Sequence, residues 1–102
     1  MKFYHATDIK NLSSILGEGI RPGVDGIVYL AKAPEHALRF VFLKAVALSF
    51  DVLVLEVDLK EEEVFETFDH SFNFFRAKSF GYTEIIPISR ISDYSLHHLV
   101  SS

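Results

Sequence analysis

The run Val52-Leu53-Val54-Leu55-Glu56-Val57-Asp58-Leu59 constrains the fold more than any other stretch of this chain. It is rich in valine and leucine, and its side chains alternate between two faces, as they do along a strand. Leu53, Leu55, Val57 and Leu59 fall on one face, and Val52, Val54, Glu56 and Asp58 on the other. Val54 on the second face predicts partial burial there too. With 102 residues there is room for one core, so residues 1–102 are read as a single domain. Hydrophobic residues at 49% and charged residues at 24% fit a folded globule rather than a disordered chain.

The remaining elements follow from local signals. Phe3 to Ala6 reads as a short strand, after which Thr7 or Asp8 can cap a helix by accepting a first-turn amide. Ile9, Leu12, Ile15 and Leu16 recur at helical spacing, and Gly17 and Gly19 end that helix. Arg21-Pro22-Gly23 and Asp25-Gly26 are turn signals. Ile27 to Ala31 reads as a second strand. Pro34 suits the first turn of a helix whose apolar face is Ala37, Leu38, Val41, Phe42, Ala45 and Val46. Strands are expected over Asp51 to Leu59, Val64 to Phe68, Tyr82 to Ile88 and Ile91 to Tyr94, with a loop over Asp69 to Phe80. The aromatics Phe72, Phe74, Phe75 and Phe80 are expected to fill the core. Strand, helix, strand, helix, then mostly strands predicts a compact α+β domain.

Several function classes are disfavoured. The chain has no cysteine, which removes disulfides, thiolate metal sites and cysteine nucleophiles. His97-His98 has no spaced partner, so no metal is expected. The net charge of −4 gives no support to general nucleic-acid binding. Asp8, Lys10 and Asn11 come too early for a signal peptide, and Phe40 to Phe50 is too short an apolar stretch to span a bilayer. No membrane association and a cytoplasmic location are the expectations. Glu61-Glu62-Glu63 reads as a solvated turn.

Three residues stand in informative local frames. His5 lies in Tyr4-His5-Ala6-Thr7, Tyr29 in Gly26-Ile27-Val28-Tyr29-Leu30-Ala31, and Glu84 in Tyr82-Thr83-Glu84-Ile85-Ile86. Ile15-Leu16-Gly17-Glu18-Gly19-Ile20-Arg21 lies between the first two. In this order the segments resemble the three motifs of the ADP-ribosyltransferase superfamily, in its H-Y-E branch with the poly(ADP-ribose) polymerases. Small bacterial members and the tRNA 2′-phosphotransferases share that fold. The resemblance covers roughly residues 3 to 92. Ala6 replaces the family's usual glycine, and Tyr82 stands where arginine-modifying members carry Gln or Glu.

The resemblance implies two packed, mostly antiparallel sheets, a split β-sandwich, with two helices. It also implies NAD as substrate and no metal. Cleaving NAD expels nicotinamide and leaves an oxocarbenium-like ribose, which calls for a held leaving ring and a nearby negative charge. In the family's terms Ala6 would hold the nicotinamide carboxamide through its backbone, His5 would bond the adenosine ribose, and Thr7 would add a hydroxyl. Tyr29 and Phe40 would sandwich the nicotinamide ring, Arg21 would meet a phosphate, and Glu84 would act as the catalytic carboxylate. The acceptor would be a protein or nucleic acid. A non-catalytic module or inhibitor that binds NAD, ADP-ribose or a protein is the alternative, and tRNA 2′-phosphotransfer ranks third. Each residue also has a plain structural reading: a strand histidine, a core tyrosine, a helix phenylalanine packed inside, and a solvated carboxylate.

Overall fold

The computed structural model describes residues 1–67 and 79–98. The alternating segment becomes strand β3 (Val52–Asp58), which pairs antiparallel with β1 (Lys2–Asp8) on one side and β6 (Ile91–His97) on the other. A second antiparallel sheet has the order β2 (Val28–Leu30), β5 (Ser79–Tyr82), β4 (Phe65–Thr67). The helices are α1 (Leu12–Glu18), entered through a 3-10 turn at Ile9–Asn11, and α2 (Pro34–Leu48).

The two faces of β3 close two cores. Leu53, Leu55, Val57 and the following Leu59 join Phe3, Val28, Leu30, Ile15, Ile20 and Ile86 between the two sheets. Val52 and Val54 meet Ala31, Ala37 and Ala45 beneath α2. Each fully buried Leu, Ile or Val contributes about 1.5–3 kcal/mol of transfer free energy. β3 therefore anchors both layers, and its second face is buried more fully than the partial burial expected. The sheets are tied at one point by reciprocal 2.8 Å backbone hydrogen bonds between Tyr4 and Ala31. Phe3 and Phe80 reinforce the join edge to face, at 5.6 Å between ring centroids, and the Lys32 ammonium lies 5.2 Å from the Phe80 ring.

The local signals act as chemistry demands. Asp8 Oδ1 accepts the Lys10 amide at 3.0 Å and caps the 3-10 turn, while Thr7 faces elsewhere. Pro34 opens α2, where its missing N–H is harmless. Gly19 closes α1 with φ +84°.

Other expectations need correction. Leu16 is exposed, because the short helix α1 turns Leu12 and Ile15 to the core and Leu16 away from it. Phe42 and Val46 stand in solvent, since α2 sits close to the sheet through its alanines and turns those side chains outward. The expected strand Tyr82–Ile88 is displaced: pairing occupies Ser79–Tyr82, Glu84 sits at a bend, and Ile86 makes an isolated bridge to Ile20. Gly81 makes that strand hard to read, and the Phe65 ring lies close over it. A Cβ at Gly81 would come within 2.6 Å of the Phe65 ring packed over it. Ser79 and Phe80 are thus strand rather than loop, and Phe80 packs on the core. Residues 69–78 of the expected loop, with Phe72, Phe74 and Phe75, lie outside the described residues, as does Phe68. Glu63 is no solvated turn residue, because both its carboxylate oxygens take Arg90 Nη1, at 2.8 and 3.0 Å.

Candidate functional site

Alternation along β1 puts Phe3, His5 and Thr7 on one face. Phe3 is fully buried in the core, whereas His5 and Thr7 are only half-buried. These two border a cleft of about 210 Å³ between β1, the 3-10 turn, α1 and Gly19–Arg21. Its polar lining is His5, Thr7, Asn11, Ser14 and Arg21, and Ile15 and Ile20 supply apolar wall. Three of the residues singled out above, His5, Thr7 and Arg21, meet in this cleft.

His5 Nδ1 lies 2.8 Å from the Tyr29 carbonyl oxygen. A carbonyl only accepts, so Nδ1 carries the proton and donates, which leaves Nε2 of the neutral ring as an acceptor. Burial pushes the imidazole below its ordinary pKa, and the Tyr29 carbonyl, which favours the cation, opposes this only in part. This hydrogen bond links the His5 and Tyr29 segments directly. Thr7 Oγ1 accepts from Asn11 Nδ2 at 2.8 Å, so its own hydrogen remains to donate. Arg21 stands at the rim and meets Glu18 at 3.4 Å, an exposed pair worth ~0–1 kcal/mol. An anion in the cleft can compete for that guanidinium.

Ala6 turns its methyl toward the α2 core, but its backbone polar groups point elsewhere. Tyr4 directs N–H and C=O at Ala31, away from β3, and antiparallel alternation sends those of Ala6 to the same side. No neighbouring residue of β2 reaches that far, because the Tyr4–Ala31 bridge is isolated.

Tyr29 is paired with Gly81, and its ring projects from the face of the second sheet opposite Val28 and Leu30. Its hydroxyl donates to Asp25 Oδ2 at 2.6 Å. That bond, with the Ile27 amide on Oδ1 at 3.1 Å, holds the Asp25 carboxyl below the usual range.

Four of the residues singled out, Ala6, Tyr29, Phe40 and Glu84, do not line the cleft. Phe40 packs with Leu38 and Val41 against the α2 core, across the first sheet from His5. The expected ring sandwich of Tyr29 and Phe40 is therefore not formed, and Phe40 has the packing role. Glu84 is exposed at the bend after β5, not on a strand, and among the described residues no hydrogen bond or ion pair reaches its carboxylate. Its connection to the cleft is through the chain. Ile86 exchanges backbone hydrogen bonds of 2.8 and 2.9 Å with Ile20 in the cleft wall, and Glu84 precedes Ile86 by two residues, at most ~7 Å.

Asn11 and Ser14 line the cleft although their local frames do not single them out. A signal exists in the sequence: Thr7, Asn11 and Ser14 recur at helical spacing beside Ile15, a polar stripe at the edge of an apolar one.

Among the described residues no group of histidines and carboxylates is arranged to hold a metal, and no helix is long and apolar enough to cross a membrane. No protein-family model matches the chain, and a search of curated proteins returns no match.

The depressed imidazole has a consequence for stability. The unfolded chain binds a proton at His5 near pH 6.5, and the folded chain resists it until a lower pH. The stabilisation from the neutral ring is thus complete above pH 6.5 and is lost as pH falls below it. Asp25, Asp58 and Glu63, all depressed, act lower, below about pH 4. Urea unfolding of the wild type should weaken between about pH 7 and 5, and His5→Asn should remove that part of the slope. An unchanged slope in the variant would show that His5 is not buried neutral.

Proposed function

We propose that the two sheets form an ADP-ribosyltransferase-like split sandwich and that the chain is an NAD-dependent ADP-ribosyltransferase acting on a macromolecular acceptor. The observation that carries this reading is the convergence of His5, Thr7 and Arg21 on one cleft, with His5 bonded to the backbone of Tyr29. The cleft volume of about 210 Å³ lies below the ~300–1,000 Å³ of pockets that enclose a drug-sized ligand. It suits the ribose and phosphates of one half of a dinucleotide, with the other half running past Ala6 toward Tyr29. The chemistry of the lining fits: Nε2 of His5 accepts from a ribose hydroxyl, Thr7 and Ser14 donate or accept, and Arg21 pairs with phosphate.

NAD supplies a cationic leaving ring. The glycosidic C–N bond breaks with its electron pair going to nicotinamide, and an acceptor nucleophile bonds to C1′ and loses its proton. Glu84 would stand beside the developing positive charge. Ala6 can serve through its outward N–H and C=O, for which a methyl in place of the family's usual glycine hydrogen is no bar.

A second reading, binding without turnover, is favoured by one observation: the Glu84 carboxylate is exposed and nothing among the described residues orients it. Nicotinamide release from NAD separates the two. Turnover supports the transferase, and binding with no release supports the module.

A further inference from the structure

Strand β6 is an edge. Among the described residues it pairs with β3 alone, and its outer side meets no other strand. Seven residues of exposed ladder are an open template for another strand, and natural edges usually carry lysine, proline or a well-placed bulge to prevent pairing. β6 has no lysine, arginine or proline. Its irregularity is confined to Ser92, the extra residue between the pairs Val57–Ile91 and Glu56–Asp93, and from Asp93 to His97 the ladder is regular. Tyr94 and Leu96 stand beside Leu55 and Leu53 but are 58% and 50% exposed, so the apolar face of the first sheet continues past the cover of the second.

We infer that a second copy of this chain pairs with β6, antiparallel, about a two-fold axis through Ser95. Register favours this axis over the two positions before it. A two-fold at Asp93 would set two carboxylates on each other, and one at Tyr94 would set Leu96 against Ser92. With the axis at Ser95, Tyr94 of each copy meets Leu96 of the other, and Asp93 of each meets His97 of the other. Tyr94 on Leu96 is an apolar pair, and the His97 ring can donate a hydrogen bond to the Asp93 carboxylate. Asp93 also needs such a partner, because within its own chain it lies opposite Glu56, like charge beside like. Pairing about a two-fold axis is isologous, and two-fold symmetry is the commonest among homo-oligomers.

The test uses the full chain. Sedimentation equilibrium should show the 11.6 kDa monomer passing to twice that mass as concentration rises. Leu96→Lys should raise the dimer dissociation constant at least ~10-fold, with the circular dichroism spectrum unchanged. The register is tested separately with Ser95→Cys. The chain has no other cysteine, and strands paired at the axis approach to about 4.5–5.5 Å between Cα atoms, within disulfide reach. Oxidation should cross-link Ser95→Cys much faster than Ser89→Cys, on the exposed turn before β6. A wild type that stays monomeric to about 1 mM overturns the inference, and so do equal cross-linking rates at the two positions.

Discussion

Replacing Gly19 by alanine is expected to destabilise the fold by at least about 2 kcal/mol and to disturb the cleft wall. Two independent costs coincide there. Gly19 has φ +84°, where a side chain is strained, and a Cβ would stand 2.4 Å from the Ile86 carbonyl oxygen and 3.1 Å from Pro87 Cα. Both are backbone neighbours, so no side-chain rotation relieves the clash. The two segments cannot part cheaply either, since Ile20 and Ile86 exchange both backbone hydrogen bonds. Gly17, two residues earlier, is the control. It lies in α1 with nothing within 4 Å of an added methyl, so Gly17→Ala should stabilise by about 0.4–1 kcal/mol. Urea unfolding of the two variants should therefore give shifts of opposite sign. Shifts of the same sign would mean that the Gly19–Ile86 contact is not what sets the wall.

The second large effect concerns chemistry. Glu84→Gln should lower nicotinamide release from NAD by about 100-fold or more, the range seen when a group that stabilises developing charge is removed. Its stability should stay within about ±0.5 kcal/mol of the wild type, because Glu84 is exposed and, among the described residues, makes no bond to lose. That separation of activity from stability makes the variant informative. Full activity in Glu84→Gln would remove the residue from the reaction.

The parts of the fold that are legible in sequence are those with a strong period. The alternation along β3 separates Leu53, Leu55 and Val57 from Val52 and Val54, which is how the two cores divide them, although the second face is buried more fully than the partial burial expected. The β2–α2 passage is readable because Pro34 marks a helix start. The third motif is not. Gly81 looks like a strand breaker until Phe65 is seen lying over it, a contact between residues sixteen apart that no local pattern carries. The pairing of Ile20 with Ile86 is also long-range, so no local signal announces the bend at Glu84. At the site, His5, Thr7 and Arg21, singled out through the family resemblance, share one cleft. Phe40 cannot be placed, because spacing along α2 does not say which of its apolar residues face the sheet. Asn11 and Ser14 do not stand out, because polar residues on a short helix usually mean solvent.

The central claim is that the cleft beside His5 receives the dinucleotide. Titrating labelled protein with NAD and following backbone amide signals tests it most directly. The expected result is saturable change at Ala6, Thr7, Ser14 and Arg21, with β6 unaffected. No change at those amides with NAD in the millimolar range, or change confined to other parts of the surface, would contradict it.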